Sequence, residues 1–214
     1  MVKLLSTEQM AEFANSGCLF FDGLIDNETN KEFLNDIGHT DIENVDNMQK
    51  YFQNIKASSS IPRIPAGTPL KNAYPHKSPL EKIFQNEVVA GAINSLVGSE
   101  AVVDHQFLHL TFPTKYFKKT NQRQMSQVNH QDSTIDPRIT FDIQLFYFPT
   151  DVTKEMGGTR YHPGTHLRIV NEMGIAKYQN IKGQKNIVCK AGTIGIFHNG
   201  LWHGAGVNFS DEIR

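Results

Sequence analysis

The sequence predicts a mainly β fold with flanking helices, and three observations predict it. Helical spacing is confined to residues 1–98, and beyond Gly98 the chain turns to short apolar runs set between turn residues. Within the second part, Ile139, Phe141, Ile143, Leu145 and Tyr147 alternate with Thr140, Asp142 and Gln144, the period of a half-buried strand. Helices first and strands afterwards is also not the order of a doubly wound α/β sheet. It is the order of a β-sandwich or barrel with helices packed outside.

The elements follow in chain order. Ser6-Thr7-Glu8-Gln9 has capping-box spacing, Met10, Phe13 and Ala14 share a helical face, and Gly17 ends the helix. Cys18-Leu19-Phe20-Phe21 reads as a short buried strand closed by the turn Asp22-Gly23. Asp26 caps a second helix over 27–37, with Phe33, Leu34 and Ile37 inward and Gly38 at its end. Periodicity fails over 39–77, where Asn, Ser and Pro are frequent, so this stretch is expected to be a long cover with one helical turn. Ser78-Pro79-Leu80-Glu81 gives a second capping box, and Leu80, Ile83, Phe84, Val88, Ala92 and Leu96 carry one helix to Gly98. Strands are expected over 101–112, 126–129, 139–148, 186–190, 193–198 and 201–208.

Composition limits the function. The 214 residues suit one domain, expected to comprise a helical part (1–98) packing on the sheet and a β core (99–214). No repeat, low-complexity tract or linker-like composition break interrupts it. Twenty-one Lys plus Arg against 22 Asp plus Glu leaves a net charge of −1, which argues against a nucleic-acid binder working by phosphate neutralisation. Two cysteines, Cys18 and Cys189, leave no disulfide framework to read. The N-terminus lacks the apolar core of a signal peptide and no run is long enough for a membrane helix. A cytoplasmic enzyme with no membrane partner is expected; oligomeric state is not legible.

Nine histidines make any single one uninformative, so a constellation is needed. His130-Gln131-Asp132 places imidazole and carboxylate at i and i+2, on one face of an extended segment. His203, in the strand-like Leu201-Trp202-His203-Gly204, is the candidate third ligand. Two histidines and one carboxylate form the facial triad of non-haem Fe(II) oxygenases, with positions left open for O2 and a co-substrate. Arg214 follows His203 by eleven residues through a glycine-rich bend, and its planar fork suits a carboxylate. His198 competes with His203 but lacks the arginine spacing. His166 reads as a turn residue or a supporting one, and the His105–His109 pair is discounted because its surroundings read as strand. Lys115, Lys118 and Lys119, beside Tyr116 and Phe117, read as a solvated loop.

These residues stand in an ordered set: His130-Gln131-Asp132, then Gly157-Gly158-Thr159-Arg160-Tyr161-His162-Pro163-Gly164-Thr165-His166, then Ala191-Gly192-Thr193, His203 and Arg214. The set resembles the phytanoyl-CoA dioxygenase family, well over 127–214 and loosely to the N-terminus, where Phe13 to Phe21 looks like the family's opening helix and strand. The resemblance implies a double-stranded β-helix (cupin-like jelly roll) and an oxygenase dependent on Fe(II), with 2-oxoglutarate as co-substrate. It implies His130, Asp132 and His203 as iron ligands and Arg214 as the residue binding the distal carboxylate of 2-oxoglutarate. The reaction implied is hydroxylation of an unactivated C–H of a small-molecule substrate by O2, with release of succinate and CO2. Asp132 fits that reading, since related halogenases carry a small residue in its place. Two positions depart from the pattern: Ala205 stands where many members have serine, and His162 where an apolar residue usually precedes Pro-Gly.

A non-catalytic cupin-like metal- or ligand-binding module is the alternative. Specificity is expected in 39–77 and 133–138, which carry no readable chemical code. Arg214 falls near the start of a segment that reads as a strand and would fray at a chain end, so the folded unit is expected to extend further.

Overall fold

The computed structural model describes residues 2–121, 124, 126–132, 141–168, 170–178 and 180–214. Among these the strands are β1 (Cys18–Phe21), β2 (Thr68–Pro69), β3 (Val102–Val103), β4 (Gln127–His130), β5 (Ile143–Phe148), β6 (Thr159–Tyr161), β7 (Lys185–Asn186), β8 (Thr193–His198) and β9 (His203–Ala205). The helices are α1 (Thr7–Ser16), α2 (Asn27–Asp36), α3 (Met48–Lys56), α4 (Pro79–Gln85), α5 (Glu87–Leu96), α6 (Thr114–Thr120) and α7 (Glu172–Ala176). None is long and apolar enough to cross a membrane. The chain divides into two compact units, Met1–Leu5 with Ile25–Leu110, and Ser6–Leu24 with Thr111–Arg214.

The first unit is helical. Asp26 caps α2 through Thr29 N–H at 2.8 Å, and Phe33 and Ile37 are buried as expected. Two expectations are corrected here. The stretch 39–77 contains a nine-residue helix, α3, capped by Asn47 and burying Tyr51 and Ile55. Its Met48, Tyr51, Phe52 and Ile55 keep the i, i+3, i+4, i+7 spacing of an amphipathic helix, a local signal set among frequent Asn, Ser and Pro. The single helix expected over 78–98 is two, because Asn86 is extended (φ −53°, ψ 132°) and its side chain caps α5 through Val88 and Val89 N–H. The apolar spacing continues across this break, so periodicity alone does not reveal it. Ser78 does cap α4, but Glu81 bonds Lys77 N–H rather than closing the box.

The second unit is built on two antiparallel sheets, ordered β1-β8-β5 and β4-β9-β6-β7. Inward residues of the first, Phe20, Phe146 and Phe197, meet inward residues of the second, Tyr161 and His203. Ring centroids lie 5.5 Å apart for Phe20–Tyr161, 5.3 Å for Tyr161–Phe197 and 6.2 Å for Phe146–His203. Burying such large rings between sheets supplies the main driving force of the roll. This is the expected jelly roll, with β8 central and buried along its whole length.

Strand boundaries differ from the sequence reading. The run expected over 101–112 holds only β3; His105 and His109 lie in irregular chain beyond it. Residues 139 and 140 of the expected 139–148 strand lie outside the described residues. The 186–190 run is β7 plus an isolated bridge from Cys189 to Val152. The 201–208 run contributes β9 and a bridge from Asn208 to Pro113. The lysine-bearing segment is the helix α6 rather than a loop, and Thr159–Tyr161 is a strand set inside the glycine-histidine motif.

That motif ties the roll to α1. Gly164 N–H donates to Ser16 O at 2.8 Å, Thr165 Oγ1 accepts from Trp202 N–H at 3.1 Å, and His166 Nε2 donates to Ala14 O at 3.1 Å. Gly17 ends α1 in the left-handed region (φ 76°), and a Cβ there would lie 2.6 Å from His166 Nδ1. Gly17→Ala therefore adds a ring clash to a left-handed backbone cost of roughly 1–2 kcal/mol, and denaturant titration should show at least that loss. Wild-type stability in the variant would contradict this packing.

Candidate metal centre

β4 and β9 run antiparallel, and His130 stands directly opposite His203 in the register. Their rings lie 4.3 Å apart between centroids. Each Nδ1 lies 2.9 Å from the carbonyl two residues back, Val128 O for His130 and Leu201 O for His203. A carbonyl only accepts, so each Nδ1 carries the proton and each Nε2 presents a lone pair. Asp132, two residues along the same extended face, brings Oδ1 to 3.6 Å from His130 Nε2 and Oδ2 to 3.3 Å from His203 Nε2. One ligand atom from each of the three residues lies within 4.8 Å of the other two.

The residue between faces away and fixes the stretch. Gln131 Nε2 donates to Gly200 O at 2.8 Å and to Arg168 O at 2.6 Å, and Asp132 N–H donates to Asn199 O at 3.3 Å. Two independent segments thus hold the His-x-Asp backbone. Gln144, on β5 of the facing sheet, donates its side-chain amide to Asp132 Oδ2. The alternation of 139–148 had put Gln144 on the polar side; the structure turns that side inward, because Phe146 and Phe148 share it. A lone glutamine among polar alternates gives no sequence signal of this contact.

Arg214 pairs through its backbone with Thr111 in both directions, at 2.6 and 3.1 Å. Its Nη2 donates to Thr111 Oγ1 at 2.8 Å and reaches Gly157 O at 3.4 Å. Gly157 is left-handed (φ 61°) and a Cβ there would meet Val207 O at 2.1 Å, so only glycine allows this approach. Arg214 Nε is buried without a partner among the described residues, and burial pushes the guanidinium pKa down. Gly157 O, which the Arg214 guanidinium reaches, also accepts from Gly206 N–H, one residue beyond the end of β9. Ala205 pairs with Gln127 and Thr159, and the hydroxyl beside Arg214 is Thr111's.

His162, His166 and His198 are buried and pack within the roll. His198 accepts from Gly200 N–H through Nδ1 at 3.0 Å and packs on Phe13, Phe141 and His166. His162 stands with its ring edge toward Trp202, its pKa lowered by burial and then by Arg160.

The family profile described as phytanoyl-CoA dioxygenase (PhyH) matches residues 13–214. The chain belongs to the PhyH family. It is thereby an oxygenase of the Fe(II)- and 2-oxoglutarate-dependent type. No curated protein matches the chain significantly. Among solved structures, this PhyH-family chain is similar to the non-heme alpha ketoglutarate dependent carbocyclase SnoK from nogalamycin biosynthesis, with a TM-score of 0.61 at 16% identity. The match covers 98% of this chain and 81% of that one. HygX from Streptomyces hygroscopicus, with nickel and 2-oxoglutarate bound, gives 0.60 at 14% identity, covering 99% and 84%. The epimerase SnoN, also from nogalamycin biosynthesis, gives 0.57 at 16% identity, covering 95% and 77%. At these identities the likeness shows the fold.

Burial, with a smaller effect of His166, pushes the His198 pKa down to about 4. An unfolded histidine titrates near 6.5, so below that pH the unfolded chain binds a proton the folded chain refuses. Stability from this site is complete above about pH 6.5 and falls as pH drops toward 4, by roughly 3 kcal/mol over the window. Urea melts from pH 7.5 to 4.5 should show this slope. His198→Asn, which keeps an acceptor for Gly200 N–H, should flatten it; an equal slope in the variant would contradict the assignment.

Proposed function

We propose that His130, Asp132 and His203 bind one Fe(II), that Arg214 holds the distal carboxylate of 2-oxoglutarate, and that the chain hydroxylates an unactivated C–H of a small-molecule substrate. The cross-strand histidine pair with Asp132 beside it carries the reading. Two imidazole Nε2 lone pairs and a carboxylate are nitrogen and oxygen donors suited to Fe(II), and three ligands on one side leave positions for co-substrate and O2. The orphaned Nε of Arg214 is what a guanidinium awaiting a two-oxygen acceptor retains.

When bound, iron and 2-oxoglutarate supply the oxidising chemistry: substrate, O2 and 2-oxoglutarate become hydroxylated product, succinate and CO2. The chain's own residues bind, orient and exclude water. Val128 O and Leu201 O keep both histidines in the ligating tautomer, and Thr111 supplies the hydroxyl that Ala205 lacks, beside the distal carboxylate. Phe146, Phe197 and Tyr161 form an apolar floor that limits water at the centre. Asp132 favours hydroxylation over halogenation, as the family pattern implies. Both compact units are read as parts of one oxygenase domain, working in the cytoplasm.

Substrate-free turnover is the test. Purified protein given Fe(II), 2-oxoglutarate and O2 should form succinate, and His130→Ala should form none; equal succinate from both would refute the assignment. Arg214→Gln should raise the KM for 2-oxoglutarate by roughly 10- to 100-fold, the scale of a lost charged hydrogen-bond pair, with a smaller change in kcat. An unaltered KM would remove Arg214 from the site. Once a substrate is found, its product should carry one oxygen atom from O2, and a ring-closed or epimerised product without added oxygen would exclude hydroxylation.

A further inference from the structure

The three ligand residues leave one question of geometry open, and it concerns Asp132. A carboxylate has two oxygens and can bind a metal through one or both. Bound through both, it would take a position that a bidentate co-substrate and O2 need. Its terminal torsion is broad and roughly two-fold, so the side chain alone does not choose between these modes.

The structure supplies a chooser. Gln144 sits on β5 opposite Phe197 of β8, with Ile143 and Leu145 paired to His198 and Ile196 on either side. This six-residue ladder fixes the Gln144 backbone, and the inward face it shares with Phe146 aims its amide across the roll. The amide donates to Asp132 Oδ2, the oxygen that also lies 3.3 Å from His203 Nε2. The Asp132 backbone is held separately, through its N–H to Asn199 O. The carboxylate is therefore held by a neutral donor from the opposite sheet while its two oxygens face His130 Nε2 at 3.6 Å and His203 Nε2 at 3.3 Å.

We propose that Gln144 is a positioning residue of the metal centre: by donating to Asp132 Oδ2 it holds the carboxylate so that Asp132 would bind the metal through one oxygen and leave one coordination position open. The inference rests on the reading of His130, Asp132 and His203 as the metal ligands. It assigns Gln144 no contact with substrate or co-substrate. An amide suits the task, because it donates without adding charge beside the aspartate. An ammonium or guanidinium in its place would compete with the metal for the carboxylate.

The test uses the full chain, freed of metal, with Co(II) alone as the probe. Wild type, Gln144→Leu and His130→Ala are compared by calorimetric titration and by the visible absorption of bound Co(II), which reports coordination number and geometry. Gln144→Leu should bind Co(II) about ten- to a hundredfold more weakly, the usual cost of removing a hydrogen bond to a metal ligand. Its Co(II) spectrum should change, while the melting temperature of the metal-free protein stays at the wild-type value. Gln144→Met, unbranched and closer in shape, replaces it if the leucine variant does not fold. Wild-type affinity and spectrum in either variant would overturn the proposal. So would a lowered melting temperature with unchanged Co(II) binding, which would make the contact structural only. Wild type that binds no Co(II), or binds it no better than His130→Ala, would instead overturn the ligand assignment beneath it.

Discussion

The pairing of β4 with β9 is the constraint on which the rest of the centre depends. It sets His130 against His203 across the ladder, close enough for two Nε2 lone pairs to face one point. Strand spacing fixes that separation, and the backbone carbonyls at Val128 and Leu201 fix the tautomers, so neither property depends on flexible side-chain choice. Asp132 then falls into place by the period of an extended chain, two residues on and on the same face. A facial arrangement follows from ordinary sheet geometry, provided that β4 and β9 do not slip by one residue. A one-residue slip would turn His130 outward and Gln131 inward.

Several features guard that register. Gln131 points away from the metal face and bonds two carbonyls from separate segments. The Pro-Gly-Thr-His turn fastens the end of β6 to α1 and to Trp202, next to His203. Behind β8, the buried His166–His198 pair fills the space under Phe13 and Phe141. The buried His162, His166 and His198 serve packing and turn geometry, while His130 and His203 stand together with Asp132. The neutral state that burial imposes on His198 suits an apolar wall and would be costly on a surface.

The legible part of the sequence was the part written in local rules. Capping by Ser6, Asp26 and Ser78, the left-handed stop at Gly17, and the β1 and β8 strands depend on neighbours within a few residues, and they stand as read. His130, Asp132, His203 and Arg214 were found because their spacing along the chain matches a family pattern. The first three converge in the structure, while the Arg214 side chain is held by Thr111 Oγ1 and Gly157 O. What stayed hidden depends on partners distant in sequence. Gln144 looked solvent-facing because its strand alternates with apolar residues on both sides of the sheet. The Thr111 hydroxyl meets an arginine 103 residues away. The break at Asn86 keeps helical phase on both sides, whereas α3 carries a local signal of its own in the helical spacing of Met48, Tyr51, Phe52 and Ile55.

On the proposed reading, a single metal ion would sit between the two paired strands, bound by Nε2 of His130, Nε2 of His203 and the Asp132 carboxylate. Anomalous diffraction from crystals grown with Mn(II) and 2-oxoglutarate in the absence of O2 tests it most directly. The account predicts one strong anomalous peak within bonding distance of all three side chains, and 2-oxoglutarate reaching from that ion to Arg214. A peak elsewhere, or a metal held without both His130 and His203, would contradict it.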